Sequence, residues 1–195
     1  MGKTGGGIGT NQYKVRGSTK ASPISITPQP DLMKQSHTLN PVSIEEREAM
    51  ASDPNTPPGT LVQLAKDESE LVRRVVAGHS NTPAGALAQL AKDRYLYVGL
   101  AVASNPNTPA EILAELAKDE DEEMCQAVAR NPSTPAQALV ELATESSWVR
   151  LAVAENPNTP TAVLIKLAKD EWEFVRQEVA RNPNAPAHIR LMGAI

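Results

Sequence analysis

Gly2-Lys3-Thr4, followed by Gly5-Gly6-Gly7, sets a lysine and a hydroxyl among glycines, the ingredients of a phosphate cradle. A working phosphate loop also needs a preceding strand, a glycine five residues before the lysine and a helix behind it. Lys3 has none of these, and the segment reads as flexible tail. Acid–base or metal chemistry needs side chains that converge. His37, His79 and His188 fall at unrelated positions, and Cys125 is the single cysteine. One cysteine excludes an internal disulfide, a zinc finger and a cysteine-held iron–sulfur cluster within one chain. The acidic run Glu120-Asp121-Glu122-Glu123 opens an expected helix, where negative charge is favoured anyway, and reads as a solvated face. The expectation is a protein that is not an enzyme and carries no metal or cofactor.

Binding chemistry has better material. Lys3, Tyr13, Lys14, Arg16 and Lys20 give the N-terminal segment positive charge, glycine flexibility and one ring on which a base can stack. These are the candidate nucleic-acid-binding residues. Arg73, Arg150 and Arg176 each follow a core valine, with Gly99 and Cys125 interrupting the column. They read as a structural ladder in which each arginine pairs with an acid of the preceding turn: Asp67, Glu145 and Asp170. Five of the six aromatic residues cluster where second helices are expected to begin: Tyr95, Tyr97, Trp148, Trp172 and Phe174. Tyr97, Trp148 and Phe174 share one column with Leu71 and Glu123. Rows of this kind serve either as anchors for a protein partner or as packing between units.

The elements that must position these residues are legible in composition and repetition. Hydrophobic residues make up 41% of the 195-residue chain but aromatics only 3%, which argues against a sandwich or barrel. Residues 1–40 carry a net +4, and residues 41–195 carry 14 basic against 22 acidic side chains, a net −8. The body is acidic, so a basic nucleic-acid groove in it is not expected. No apolar run approaches the roughly 18 residues of a membrane span. A cytoplasmic protein without membrane contact is expected.

Asn-Thr-Pro recurs at 55–57, 81–83, 107–109 and 158–160, with variants at 133–135 and 184–186, at a spacing of 26 residues broken once by 25. Leu-Ala pairs at 64, 90, 116, 142 and 167 and Val-Ala pairs at 76, 102, 128, 153 and 179 keep step. Such a period is the mark of a solenoid. Each unit reads as two short helices. In the central one Thr108 is placed as N-cap, Pro109 as first helical residue and Glu111 as the far half of a capping box. The second helix buries Met124, Ala127 and Val128 and stops at Asn131-Pro132. The asparagine column Asn105, Asn131, Asn156 and Asn182, with His79 standing in for one member, is expected to bond the turns between units. Neither helix is long enough to be stable alone, so burial must come from neighbouring units.

"LAKDESELVRRVVAGHSNTPAGAL" and "LAKDEWEFVRQEVARNPNAP" resemble units of the leucine-rich repeat variant family, over residues 45–190. The resemblance implies a right-handed solenoid of alternating α and 3₁₀ helices. The iron–sulfur cluster of the family's founding members is not implied, because no cysteine precedes Cys125. The stretch Gly9–Gly17 is similar to short segments of actinobacterial phage and mobile-element proteins. The expected architecture is all-α: a right-handed superhelical solenoid of about five 26-residue two-helix repeats over residues 42–195, after a disordered basic tail over residues 1–41. The expected function is a non-catalytic protein-binding adaptor or scaffold, of bacterial origin by its resemblance. The alternative is a phage-type accessory protein holding nucleic acid through the tail.

Overall fold

The computed structural model describes residues 42–192, and the tail, with its candidate residues Lys3, Tyr13, Lys14, Arg16 and Lys20 and with His37, lies outside the described residues. Those described form twelve α-helices and no strand. An opening helix α1 (Ile44–Ser52) precedes five helix pairs: α2 (Pro58–Leu64) and α3 (Glu70–Gly78), α4 (Ala84–Leu90) and α5 (Leu96–Ser104), α6 (Ala110–Leu116) and α7 (Glu122–Arg130), α8 (Ala136–Leu142) and α9 (Ser147–Glu155), α10 (Thr161–Leu167) and α11 (Glu173–Arg181). Helix α12 (Ala187–Met192) closes the series. The architecture is an α-solenoid.

The two helices of a unit differ in length and in role. First helices have seven residues and second helices nine. Second helices pack on one another in a continuous layer, α1 on α3, α3 on α5 and onward to α11, whereas each first helix leans on its flanking second helices. Leucines of the first helices (Leu61, Leu64, Leu87, Leu90, Leu113, Leu139, Leu142, Leu164) and valines of the second (Val72, Val76, Val98, Val102, Val128, Val153) meet in one core running the length of the array. Helix α7 buries Met124, Cys125, Val128 and Ala129, while Ala127 stays partly exposed.

Three local expectations are corrected. The resemblance implied alternating α and 3₁₀ helices; both helices of each unit are α, and the short first ones tighten only at their ends, as in Ile112 N–H to Pro109 O and Lys118 N–H to Glu115 O. Seven residues allow an α-helix but leave its terminal groups to i→i+3 bonds. The capping box at Thr108 and Glu111 does not form. Pro109 holds the N-cap position without a side-chain bond, and the Thr108 hydroxyl donates backwards to Val102 O at 2.6 Å, satisfying a carbonyl at the end of α5. Thr82, Thr134 and Thr159 repeat that bond on Val76, Val128 and Val153. A capping box does form at Ser43 and Glu46. The arginine pairing is the third correction, described below.

The asparagine column is the most regular feature of the interior. Asn131 Nδ2 donates to Ala103 O at 2.6 Å and to Asn105 O at 2.9 Å, while its Oδ1 accepts the Ser133 amide at 2.8 Å. Asn105, Asn156 and Asn182 make the same bonds one unit apart, so each reaches the helix end of the unit before it. His79 reproduces half of the pattern: Nδ1 accepts the Asn81 amide and Nε2 meets Asp53 O at 2.9 Å. Outside this ladder runs a second one, in which Asn81, Asn107, Asn158 and Asn184 donate to Pro54, Ser80, Pro132 and Pro157 carbonyls of the unit before.

Asn131→Ala is therefore expected to cost about 1–3 kcal/mol, because the Ala103 carbonyl loses its donor while Asn105 O keeps only the Thr108 amide, whereas Asn158→Ala in the exposed ladder costs about 1 kcal/mol or less. Urea denaturation of the two variants checks the ordering. His79→Asn is expected to stabilise by about 0.5–1.5 kcal/mol, since an amide there reaches the Ala51 carbonyl as well as Asp53 O.

Candidate protein-interaction face

The loops between first and second helices place the residues of interest. Four of the five carry an aspartate whose carboxylate accepts the amide two residues on: Asp67 from Ser69, Asp93 from Tyr95, Asp119 from Asp121 and Asp170 from Trp172, while the α8–α9 loop has Glu145 there. That turn sets the N-cap residue of the second helix and fixes where the next side chains emerge. Tyr95 and Trp172 sit at the N-cap positions of α5 and α11, and both are partly buried against the core. Tyr97, Trp148 and Phe174, near the helix starts, are 66%, 52% and 60% exposed. Leu71 in the same column is exposed too.

The five candidate aromatics thus separate into supports and presented rings. Trp172 stands edge-on to Trp148, centroids 4.7 Å apart, and to Phe174 at 5.3 Å, holding one exposed ring on each side. Tyr95 lies under Arg73 at 5.6 Å and Arg94 at 4.8 Å, and Arg94 donates to its hydroxyl. Leu71 and Tyr97 form one apolar stretch, Trp148 with Phe174 another, and Glu123 stands between them.

The arginine column works differently from expectation. Arg73 does not ion-pair with Asp67: its Nε and Nη2 fork onto the Asp93 carboxylate of the next unit at 2.6 and 3.1 Å, and Nη1 donates to the Asp67 and Glu68 carbonyls. Arg150 likewise grips Asp170 and bonds the backbone, not the carboxylate, of Glu145. Arg176 donates to the carbonyls of Asp170 and Glu171. Sequence reasoning missed Arg47, which heads the column and forks onto buried Asp67 at 2.7 and 3.2 Å. The signal was available, since Arg47 lies one period before Arg73. The reach favours the next unit because an arginine at the base of a second helix extends across the inter-unit seam, while the turn aims its own carboxylate at its own amides.

Where the arginine is missing, packing replaces it. A Cβ on Gly99 would lie 2.9 Å from Met124 Cε, so the methionine that stands where other units have valine occupies the space beside Gly99. Cys125 Sγ reaches Asp119 O at 3.2 Å, the backbone half of the arginine's task. Burial, then the Glu145 and Asp119 charges, push its thiol pKa up, which keeps it protonated and unreactive. Two open grooves lie between successive second helices, one lined by Leu100, Ala127 and Arg130 and one by Ala51, Val75 and His79. Among the described residues no group of His, Cys, Asp or Glu is arranged to hold a metal ion, and no helix is long and apolar enough to cross a membrane.

The arginine–aspartate forks make stability depend on acid. The Arg73 hydrogen bonds hold Asp93 below its ordinary value of 3.8, against the opposing effect of burial. At Asp170 burial pushes upward, and the Arg150 fork with the Trp172 amide outweighs it. A depressed carboxylate stabilises the fold fully above its unfolded value and loses that contribution as pH falls through the folded value. Stability is expected to drop below about pH 4, and Arg150→Met should flatten that acid limb. Melting curves between neutral pH and pH 2–3 check both.

No curated protein matches this sequence. The family model described as leucine rich repeat variant matches residues 100–121, the span from the middle of α5 to the start of α7. A solved structure described as a leucine-rich repeat variant with a novel repetitive protein structural motif is similar to this chain at a TM-score of 0.55, with 24% identity, over 85% of this chain and 68% of that one. One unit thus matches the leucine rich repeat variant model, and the fold of the described residues is similar to that of a solved leucine-rich repeat variant solenoid.

Proposed function

We propose that the protein is a non-catalytic interaction module that holds a protein partner on the face where the second helices begin. One observation carries this reading. Tyr97, Trp148 and Phe174 are more than half exposed, although the leucine, valine and asparagine ladders close the core without them. Large rings presented on a rigid frame lose little entropy on binding and are the residue types that dominate interface energies. The frame is rigid for a stated reason: cross-unit asparagine bonds fasten the ends of the second helices, and arginine forks at Asp67, Asp93 and Asp170 fasten three of their starts. The acidic body disfavours phosphate, so a nucleic-acid reading rests on the tail alone.

The test is the Tyr97→Ala/Trp148→Ala double variant. Tyr97 contributes little to the fold, and Trp148 loses an edge contact worth about 1 kcal/mol. Melting should therefore shift modestly while capture of the native partner falls by about 2 kcal/mol or more per ring. A variant that keeps full capture, or one that unfolds, would remove the aromatic face as the binding surface.

A further inference from the structure

The forks show what the acidic loops of this fold are shaped to hold. In three of them, at Asp67, Asp93 and Asp170, an arginine from the preceding unit lies against the carboxylate with Nε at 2.6–2.7 Å. At the Asp93 loop the same guanidinium also lies over the Tyr95 ring. The two central loops lack that donor, because the preceding units offer Gly99 and Cys125. Exposure follows the loss. Asp67 is buried and Asp93 and Asp170 are half-buried, but Asp119 and Glu145 are exposed, and neither carboxylate has an ion pair among the described residues.

These two loops form one neighbourhood on the aromatic face. The Ser146 hydroxyl donates to the Glu122 carboxylate, tying the start of α9 to that of α7. The charges of Asp119, Asp121, Glu122 and Glu145 all act on the Cys125 thiol between them. Exposed Tyr97 stands one unit before the Asp119 loop and exposed Trp148 three residues after Glu145, with Glu123 in the column between them. The middle of the face is therefore an unpartnered apolar row interrupted by carboxylates whose counterparts elsewhere in the chain hold arginine.

We propose that this stretch, from Tyr97 to Trp148, receives an arginine-bearing segment of the protein partner, with guanidinium groups at the Asp119 and Glu145 loops and apolar side chains on the two rings. The inference rests on the reading of this face as protein-binding and names the chemistry of what binds. Charge complementarity selects a basic partner, because the body carries −8. The planar fork selects arginine over lysine, since two parallel donors match a carboxylate and the flat group also lies on a ring.

The probe is a short fluorescein-labelled peptide alternating arginine with leucine, compared by anisotropy with its citrulline counterpart, which keeps the shape and loses the charge. On the full chain the arginine peptide is expected to bind at least about tenfold more tightly. Asp119→Asn/Glu145→Gln should weaken it about tenfold or more, the scale of a lost close charge pair. Glu111→Gln/Glu141→Gln, which removes the same charge from the first helices of the same units, should leave binding nearly unchanged. Cys125→Arg offers Glu145 a guanidinium from within the chain, as Arg150 does for Asp170, and should keep the fold while displacing the peptide. Equal binding of the two peptides, or equal loss from the two double variants, would overturn the proposal. If Tyr97→Ala/Trp148→Ala abolishes capture of the native partner while Asp119→Asn/Glu145→Gln does not, the arginine seat is wrong and the protein-binding face stands.

Discussion

A solenoid of short helices has a difficulty that a globular domain escapes: many helix ends, each with backbone groups unsatisfied, fall inside the structure. Here the asparagine column answers it. Each buried amide donates twice to carbonyls of the unit before and accepts once from its own turn, so one side chain closes a turn and joins two units. Threonine hydroxyls add a second hydrogen bond to a carbonyl near the ends of α3, α5, α7 and α9. With seven- and nine-residue helices too short to persist alone, the hydrophobic ladders can form only because these bonds let the helix ends be buried.

The arginine forks act at the opposite end of the second helices, so that layer is fastened to its neighbour at both ends. In the middle of the array the fastening changes kind. Met124 fills the space beside Gly99, and the Cys125 thiol keeps only a backbone bond. Burial is retained there, but two carboxylates are left in solvent. The place where structural pairing lapses is also the place flanked by exposed Tyr97 and Trp148. Structural bonds relinquished at one point of a regular array leave side chains available to another molecule.

Partition of the aromatics shows how neighbouring positions acquire different roles. Tyr95 and Tyr97 are two residues apart, as are Trp172 and Phe174, yet in each pair the first packs and the second projects. The N-cap residue has extended backbone and turns its side chain back along the loop, whereas two residues later the chain is helical and the side chain leaves the layer. The packed ring then supports the projecting one, as Trp172 does for Trp148 and Phe174.

The 26-residue period, the Leu-Ala and Val-Ala ladders and the Asn-Pro stops determined by themselves that the chain is a helical solenoid with its leucine and valine ladders buried, because periodic burial writes itself into residue type. The asparagine column was equally legible, since a polar residue repeated at a fixed place in an apolar frame must be satisfied there. Three things needed the tertiary structure. Thr108 matches an N-cap pattern in sequence, but its hydroxyl is nearer a carbonyl of the preceding helix, a neighbour that spacing alone does not reveal. Arg73 and Arg150 have acids before them, six and five residues away, and acids twenty residues after them; only the inter-unit geometry decides for Asp93 and Asp170. Tyr95 and Tyr97 are alike in type and both near a helix start, and which of them faces solvent was decided by the angle at which the turn delivers the chain into the helix.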